Sequence, residues 1–298
     1  MRITQAMMLN NVSRALSQHS EKLFKAQNMV SSGKKITTAS DDPVGMTHIL
    51  DYQKTLTSID QYSRNIAQAN TGLNLADATL SDVQGLLNEA KSLALVQANG
   101  TNSDNDRQVA ADKLLQIRDQ IIQLANTKNG NQYLFGGQNT VNPPYDPAHP
   151  ELGFQGDDGP NQVVIGDGVT LDVHASGKQA FDGTVAGTAD PVVVLTNLIQ
   201  GLNVNDKTAI SSSLDLLTTS LTQTSDTQAA VGITLNHLDA SDTHLTDLKL
   251  NIQGLLSNTE DADYTQAVTE LTAQQTAYEA SLAVASKTIQ PSLLDYLK

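Results

Sequence analysis

Acid–base or metal chemistry in this chain would have to start from six histidines, His19, His48, His149, His174, His237 and His244. No two stand at the i, i+4 spacing that puts a pair of ligands on one helical face. His237 and His244 share a face one heptad apart. That is about 10.5 Å along a helix axis, too far to share an ion whose bonds are about 2 Å long. Cysteine is absent, which removes disulfides, thiolate ligands and thiol nucleophiles together. No G-x-S-x-G elbow, G-x-G-x-x-G loop or zincin motif occurs. No catalytic, cofactor-binding or metal-ligating set is assigned. Asp157-Asp158-Gly159 and Asp167-Gly168 have oxygen ligands suited to calcium, and turn chemistry accounts for both without an ion.

The segment "SSGKKITTASDDPVGM", residues 31 to 46, poses the sharper choice between a site and a joint. Gly33-Lys34 has the end of a phosphate-binding loop, but the position five residues upstream, where a second glycine is required, is Asn28. Asp41 and Asp42 lack the surrounding ligands of a calcium loop. As a joint the segment is coherent. Gly33 can end one helix in a left-handed conformation, Ser40, Asp41 or Asp42 can cap the next, and Pro43 suits its first turn. Gly33, Asp41, Asp42 and Pro43 are therefore read as an interdomain joint.

The elements on either side of that joint are helical. Leu9, Val12, Leu16, His19, Leu23, Ala26 and Val30 recur at spacings of three and four, and so do Val268, Leu271, Gln275, Tyr278, Leu282, Ala285 and Ile289. Such two-in-seven seams are those of coiled-coil strands; His19 reads as a polar register device within one of them. Leu293 and Leu294 extend the second apolar surface beyond Pro291, which ends or bends the helix. Leu9, Val12, Leu16, Leu23, Val30, Val268, Leu271, Tyr278, Leu282, Ile289, Leu293 and Leu294 form the expected assembly interface.

After the joint, Ile49 to Leu73 and then Ala76 to Ala94 carry one helix over residues 43–96, about 80 Å of rod. Another follows on Ala110, Leu114, Ile117, Ile121 and Leu124, with Asn129-Gly130 as its stop. "NQYLFGG" (131–137) reads as aromatic packing at the end of the rod and a flexible glycine exit. Six of the eight prolines fall between 138 and 191, which makes helix improbable there. "QVVI" and "VTLDVH" flank the turn Gly166-Asp167-Gly168 as a hairpin. Helix resumes at "VVVLTNLIQGL" and continues through Leu214, Leu217, Leu221 and on to Leu255.

The expected fold is mainly α: an elongated antiparallel helical rod or coiled coil formed by the N- and C-terminal halves, with a small β-rich insert. The expected domains are residues 1–40 with 258–298 as a terminal coiled coil, 41–137 with 190–257 as the helical rod, and 138–189 as the outer insert.

Composition restricts function further. Aromatic residues make up 4% of 298 residues and tryptophan is absent, so narrow cores of Leu, Ile, Val and Ala are favoured. The net charge of -14 argues against nucleic acid, whose phosphates require clustered cations. Charge is unevenly spread. Residues 1–40 carry six Lys and Arg against Glu21, and residues 259–298 carry six Asp and Glu against Lys287 and Lys298, so the two ends are complementary. No apolar run reaches the length needed to cross a bilayer, and no Sec-type signal is visible. About 50 residues rich in Pro and Gly can hardly enclose a concave adhesin or enzyme site by themselves.

The opening "MRIT", "SSGKKITTASDDPVGM", "RNIAQANTGLNLADATLSDV", "NGNQYLFGG" and "AYEASLAVASKTIQPSLLDYL", taken in order, resemble the flagellin superfamily, and within it the hook-filament junction branch, the hook-associated protein 3 family. The resemblance covers residues 1–137 and 225–298 and leaves out the insert. Asp41-Asp42-Pro43 and the short insert are closer to the junction branch than to flagellin, the alternative. The resemblance implies a structural, non-enzymatic protein, secreted through the flagellar type III apparatus from the cytoplasm to the extracellular flagellum. It implies a ring of its own subunits between hook-associated protein 1 on the hook side and flagellin on the filament side, an export chaperone, and paired terminal helices with the insert facing outward. It implies no cofactor, no nucleic acid and no membrane insertion.

Overall fold

The structure is a computed structural model and describes residues 5–98, 102–185 and 187–289. Seven α-helices carry most of it: α1 (Gln5–Ser32), α2 (Pro43–Ala98), α3 (Asp104–Ala125), α4 (Gly177–Phe181), α5 (Pro191–Val204), α6 (Lys207–Glu260) and α7 (Tyr264–Ile289). Two antiparallel hairpins complete it, β1 (Lys128–Asn129) with β2 (Gln132–Tyr133) and β3 (Gln162–Gly166) with β4 (Val169–Asp172). The mainly α class is as expected. No helix among the described residues is long and apolar enough to cross a membrane.

The chain forms two compact units, residues 1–58 with 248–298 and residues 59–247. The Gly33–Pro43 joint lies inside the first. In the second, the heptad positions of α2 form the core: Ile59, Ile66, Leu73, Leu80, Val83 and Leu87 are buried. Leu114, Ile117 and Ile121 bury the matching face of α3, and α3 packs on α5. Ser103 opens α3 with a reciprocal capping box to Asp106. The helix ends at Ala125, four residues before Asn129-Gly130, because Asn126 turns the chain there and its side chain pairs with the backbone of Tyr145.

Cross-helix hydrogen bonds hold α6 against α2 within this unit. Gln84 Nε2 donates to Gln228 Oε1 at 2.8 Å, Gln228 Nε2 donates to Asp77 Oδ1 at 3.0 Å, and Ser63 donates to Asp242 at 3.0 Å.

The insert differs from expectation. Its strands are confined to the β3–β4 hairpin, which turns at Asp167-Gly168 with Gly168 at φ +68°. The proline-rich part is irregular chain with one short 3-10 turn (Pro150–Leu152) and, against expectation, the helix α4, capped by Ser176. Three of the four phenylalanines and Tyr145 form its core. The Phe135 and Phe181 rings meet edge-on at 5.2 Å, and those of Tyr145 and Phe154 at 5.8 Å.

The glycines after Phe135 are no flexible exit. Gly136 is buried, and Gly137 sits at φ +65°, where an added Cβ would lie 2.3 Å from the Asp157 carbonyl oxygen. The insert is tied to α6 by Gln223, whose amide donates to the carbonyls of Ala180 and Ala189 and accepts from the Ala189 N–H.

Candidate assembly interface

Gly33 ends α1 at φ +71° with its N–H on the Met29 carbonyl, the left-handed stop that glycine supplies at least strain. Of the three capping candidates, Asp42 is the cap: its Oδ1 accepts the Val44 N–H at 3.0 Å, and Pro43 is the first residue of α2. Asp41 ties the preceding turn instead. Its Oδ2 accepts the Thr38 hydroxyl at 2.9 Å and the Thr38 and Thr37 N–H groups, and these bonds, led by the Thr38 hydroxyl, hold its carboxyl below the usual range. Ile36 is buried beneath Gly45, where an added Cβ would come within 2.6 Å of its side chain.

The joint has a counterpart at residues 261–263, between α6 and α7, which periodicity did not reveal. Its signal is Asp263, whose carboxylate accepts the N–H groups of Thr265 and Gln266 as an N-cap. The two joints pair as an antiparallel bridge, Lys34 with Asp261. Lys35 N–H donates to the Glu260 carbonyl at 2.7 Å, Ala262 N–H to the Gly33 carbonyl at 2.9 Å, and Lys35 Nζ to the Asn258 carbonyl at 2.7 Å. Lys34 forms an ion pair with Glu260. One opposite-charge pair from the two ends thus meets at this bridge.

From the bridge, α1 and α7 run as an antiparallel pair, with Val12 and Ala15 beside Ala280, Ser281 and Val284. On α1 the covered face follows the expected seam: Val12, Leu16, His19, Leu23 and Val30 are half-buried and Ala26 is buried, whereas Leu9 is 40% exposed. The α7 seam requires correction. Leu271, Tyr278 and Ala285 face the pair, but the other covered positions are Ala267, Gln274, Ala277 and Ser281. Val268 and Leu282 stand 38% and 42% exposed, and Gln275 is exposed as well. Small side chains allow the two helices to approach, so the larger Val and Leu one position away turn outward. Ile289 is the last residue of α7; its side chain, and Leu293 and Leu294, lie outside the described residues.

Apolar side chains off the seam are uncovered too, among them Met7, Met8, Phe24, Leu50 and Leu250. A seam-only reading passes over them, although a wider apolar stripe is visible in pairs such as Leu23-Phe24. Two polar atoms in the pair, His19 Nδ1 and Gln274 Oε1, are buried without a hydrogen-bond partner.

The remaining histidines are dispersed. His237 and His244 are exposed on α6, His48 stacks on Tyr52, His149 lies beside Glu151, and His174 lies between Asp172 and Asp158. Among the described residues no group of three His, Asp or Glu side chains is arranged to hold a metal.

Residues 3–140 match the bacterial flagellin N-terminal helical region, and residues 214–297 match the bacterial flagellin C-terminal helical region. These are the segments that build the paired helices, and the chain belongs to the flagellin superfamily, a family of structural and not enzymatic proteins. Within that class it is similar along its length to flagellar hook-associated protein 3 of Salmonella typhimurium, 26% identical over 304 residues, covering 94% of this chain and 95% of the relative. Flagellin of Listeria innocua is 24% identical over 285 residues, covering 95% and 94%. In fold, the crystal structure of flagellar hook-associated protein 3 from Legionella pneumophila matches 70% of this chain and 98% of its own, with a TM-score of 0.61 and 14% identity.

Proposed function

We propose that this chain is the subunit of the hook-filament junction, a structural ring of the bacterial flagellum on which flagellin assembles. The observation that carries this reading is the α1–α7 pair. It is built from the two flagellin-type terminal regions, yet it leaves Leu9, Val268 and Leu282 open to solvent. A helix pair with this much uncovered apolar surface is completed by neighbours. Those neighbours are further copies of the chain, hook-associated protein 1 on one side and flagellin on the other. Before export the same surface requires a cytoplasmic chaperone, and afterwards the protein resides in the extracellular flagellum. The Gly33–Pro43 joint and its partner at 261–263 act as the hinge line from which the terminal pair is presented.

Flagellin itself is the second reading, favoured by the full-length similarity to the Listeria innocua protein. The two readings differ in whether assembly stops. Electron micrographs of a deletion strain should show hooks without filaments, with filaments restored by the plasmid-borne gene, and purified protein should not extend into long fibres. Normal filaments in the deletion strain would overturn the junction assignment, and unlimited fibres from the purified protein would favour flagellin.

A further inference from the structure

A cleft of about 310 Å³ opens in the second unit between α2, the β1–β2 hairpin and the outer flank of the β3–β4 hairpin. The insert alone does not enclose it; Ala69, Gly72 and Leu73 of α2 supply its other wall. The lining has an unusual chemistry. Gln68, Asn129, Gln132 and Asn161 contribute four carboxamides, and none has a side-chain hydrogen bond among the described residues. Asn65, by contrast, is committed: it donates to the Val164 carbonyl and accepts from Gln61, which pins the β3–β4 hairpin to α2. No Asp, Glu, Lys or Arg lines the cleft, in a chain whose net charge is -14. His174, at the rim, has each ring nitrogen beside a carboxylate, Asp172 at 2.7 Å and Asp158 at 3.3 Å.

A free carboxamide offers a donor and an acceptor side by side. That is the complement of a hydroxyl, which also does both, and four such groups around one cleft match vicinal hydroxyls in series. Beneath them, Ala69, Gly72, Val173 and Ala175 form an apolar floor that suits the C–H face of a sugar ring. Tyr133 adds an aromatic wall, its ring held by Lys128 Nζ at 4.4 Å from the centroid. The volume lies at the small end of ligand pockets, enough for roughly one or two pyranose rings. No Lys or Arg lines the cleft to pair with an anionic ligand, Lys128 Nζ being engaged over the Tyr133 ring, and an apolar ligand would strip water from four amides without return. We propose that this cleft binds a neutral saccharide, an activity separate from assembly.

The test is saturation-transfer NMR on the full-length monomeric protein with maltose, lactose and N,N′-diacetylchitobiose, followed by calorimetric titration of the strongest. Amylose beside maltose distinguishes a polymer end from a free sugar. Binding of at least one neutral disaccharide is expected. Replacing both Asn129→Ala and Asn161→Ala should weaken it by about tenfold or more, with circular dichroism and melting unchanged. Gly72→Val tests the same floor without removing an amide: a Cβ there already meets Asn129 Nδ2 at 3.2 Å, so the added methyls narrow the cleft and binding should be lost. The proposal is overturned if none of the three sugars gives transfer, if the double variant binds as well as the parent, or if sialic acid binds as tightly as the neutral sugars.

Discussion

The Tyr145 hydroxyl donates to Asp190 Oδ1 at 2.9 Å in the core of the insert, and both residues are buried. The same carboxylate accepts the N–H groups of Val192 and Val193, which caps α5, and its other oxygen takes the Phe154 N–H at 2.9 Å. One side chain thus joins a helix start, an aromatic cluster and the irregular chain. Asp190→Ala would strip the Val192, Val193 and Phe154 N–H groups of this acceptor and leave the Tyr145 hydroxyl only the Phe181 carbonyl, at 3.2 Å. The expected cost is about 2–4 kcal/mol, against about 1 kcal/mol for Tyr145→Phe, both measured by urea denaturation.

Two carboxylates of the insert should respond to pH in opposite senses. Burial raises Asp190 above 3.8, so the folded state takes up its proton before the unfolded state does. Its contribution to stability therefore grows as pH falls from the raised value towards 3.8. Asp157 is lowered by backbone hydrogen bonds, from Gln138 first and then from Gly159 and Asn139. Its contribution is present above 3.8 and lost as pH falls through the lower folded value. Asp157→Asn should destabilise the insert at neutral pH and match the parent once pH falls below the lowered folded value, as followed by hydrogen exchange of residues 136–160.

Gly33 and Gly137 both have positive φ, yet substitution should separate them. At Gly33 an added Cβ meets nothing within 4 Å, so Gly33→Ala costs only the left-handed backbone, about 1–2 kcal/mol. At Gly137 it would also collide with Asp157. Gly137→Ala should lower the melting temperature clearly more than Gly33→Ala does. Equal losses would mean that Asp157 yields freely.

Val268→Asp combined with Leu282→Asp tests the assembly surface with little disturbance of the fold. Both side chains are partly exposed, so the monomer should change by less than about 0.5 kcal/mol per site. Filament growth on complementation should fail. Full motility in the variant, with normal secretion, would show that these two residues are not at the interface.

The helices on either side of the insert were legible wherever the buried face is apolar, as along α2, where Ile59, Ile66, Leu73 and Leu80 are all buried. On α6 the buried line runs Ile210, Ser213, Leu217, Ser220, Thr224 and Thr227, and its polar members hid it. Three of these hydroxyls are satisfied by carbonyls: Thr224 donates to that of Ser220 and Thr227 to that of Gln223 within the helix, and Ser220 reaches across to that of Ala189. The α7 seam was misread for the related reason that Ala267 and Ser281 carry too little apolar surface to register beside Val268 and Leu282. Asp42 and Pro43 announced the joint through local chemistry. Its pairing with residues 261–263 rests mainly on backbone groups, which every sequence possesses.

That pairing constrains the order in which the chain can fold. Lys34 and Glu260 are 226 positions apart, and closing a flexible loop of that length costs about 5 kcal/mol before any contact offsets it. The first helix therefore has no partner until Glu260 and the α7 segment after it are available, whatever the helical propensity of α1. Residues 59–247 have no such dependence on the ends and can form their own core from contacts among themselves. We expect the terminal unit to fold late, its formation reporting that the C-terminal segment has arrived.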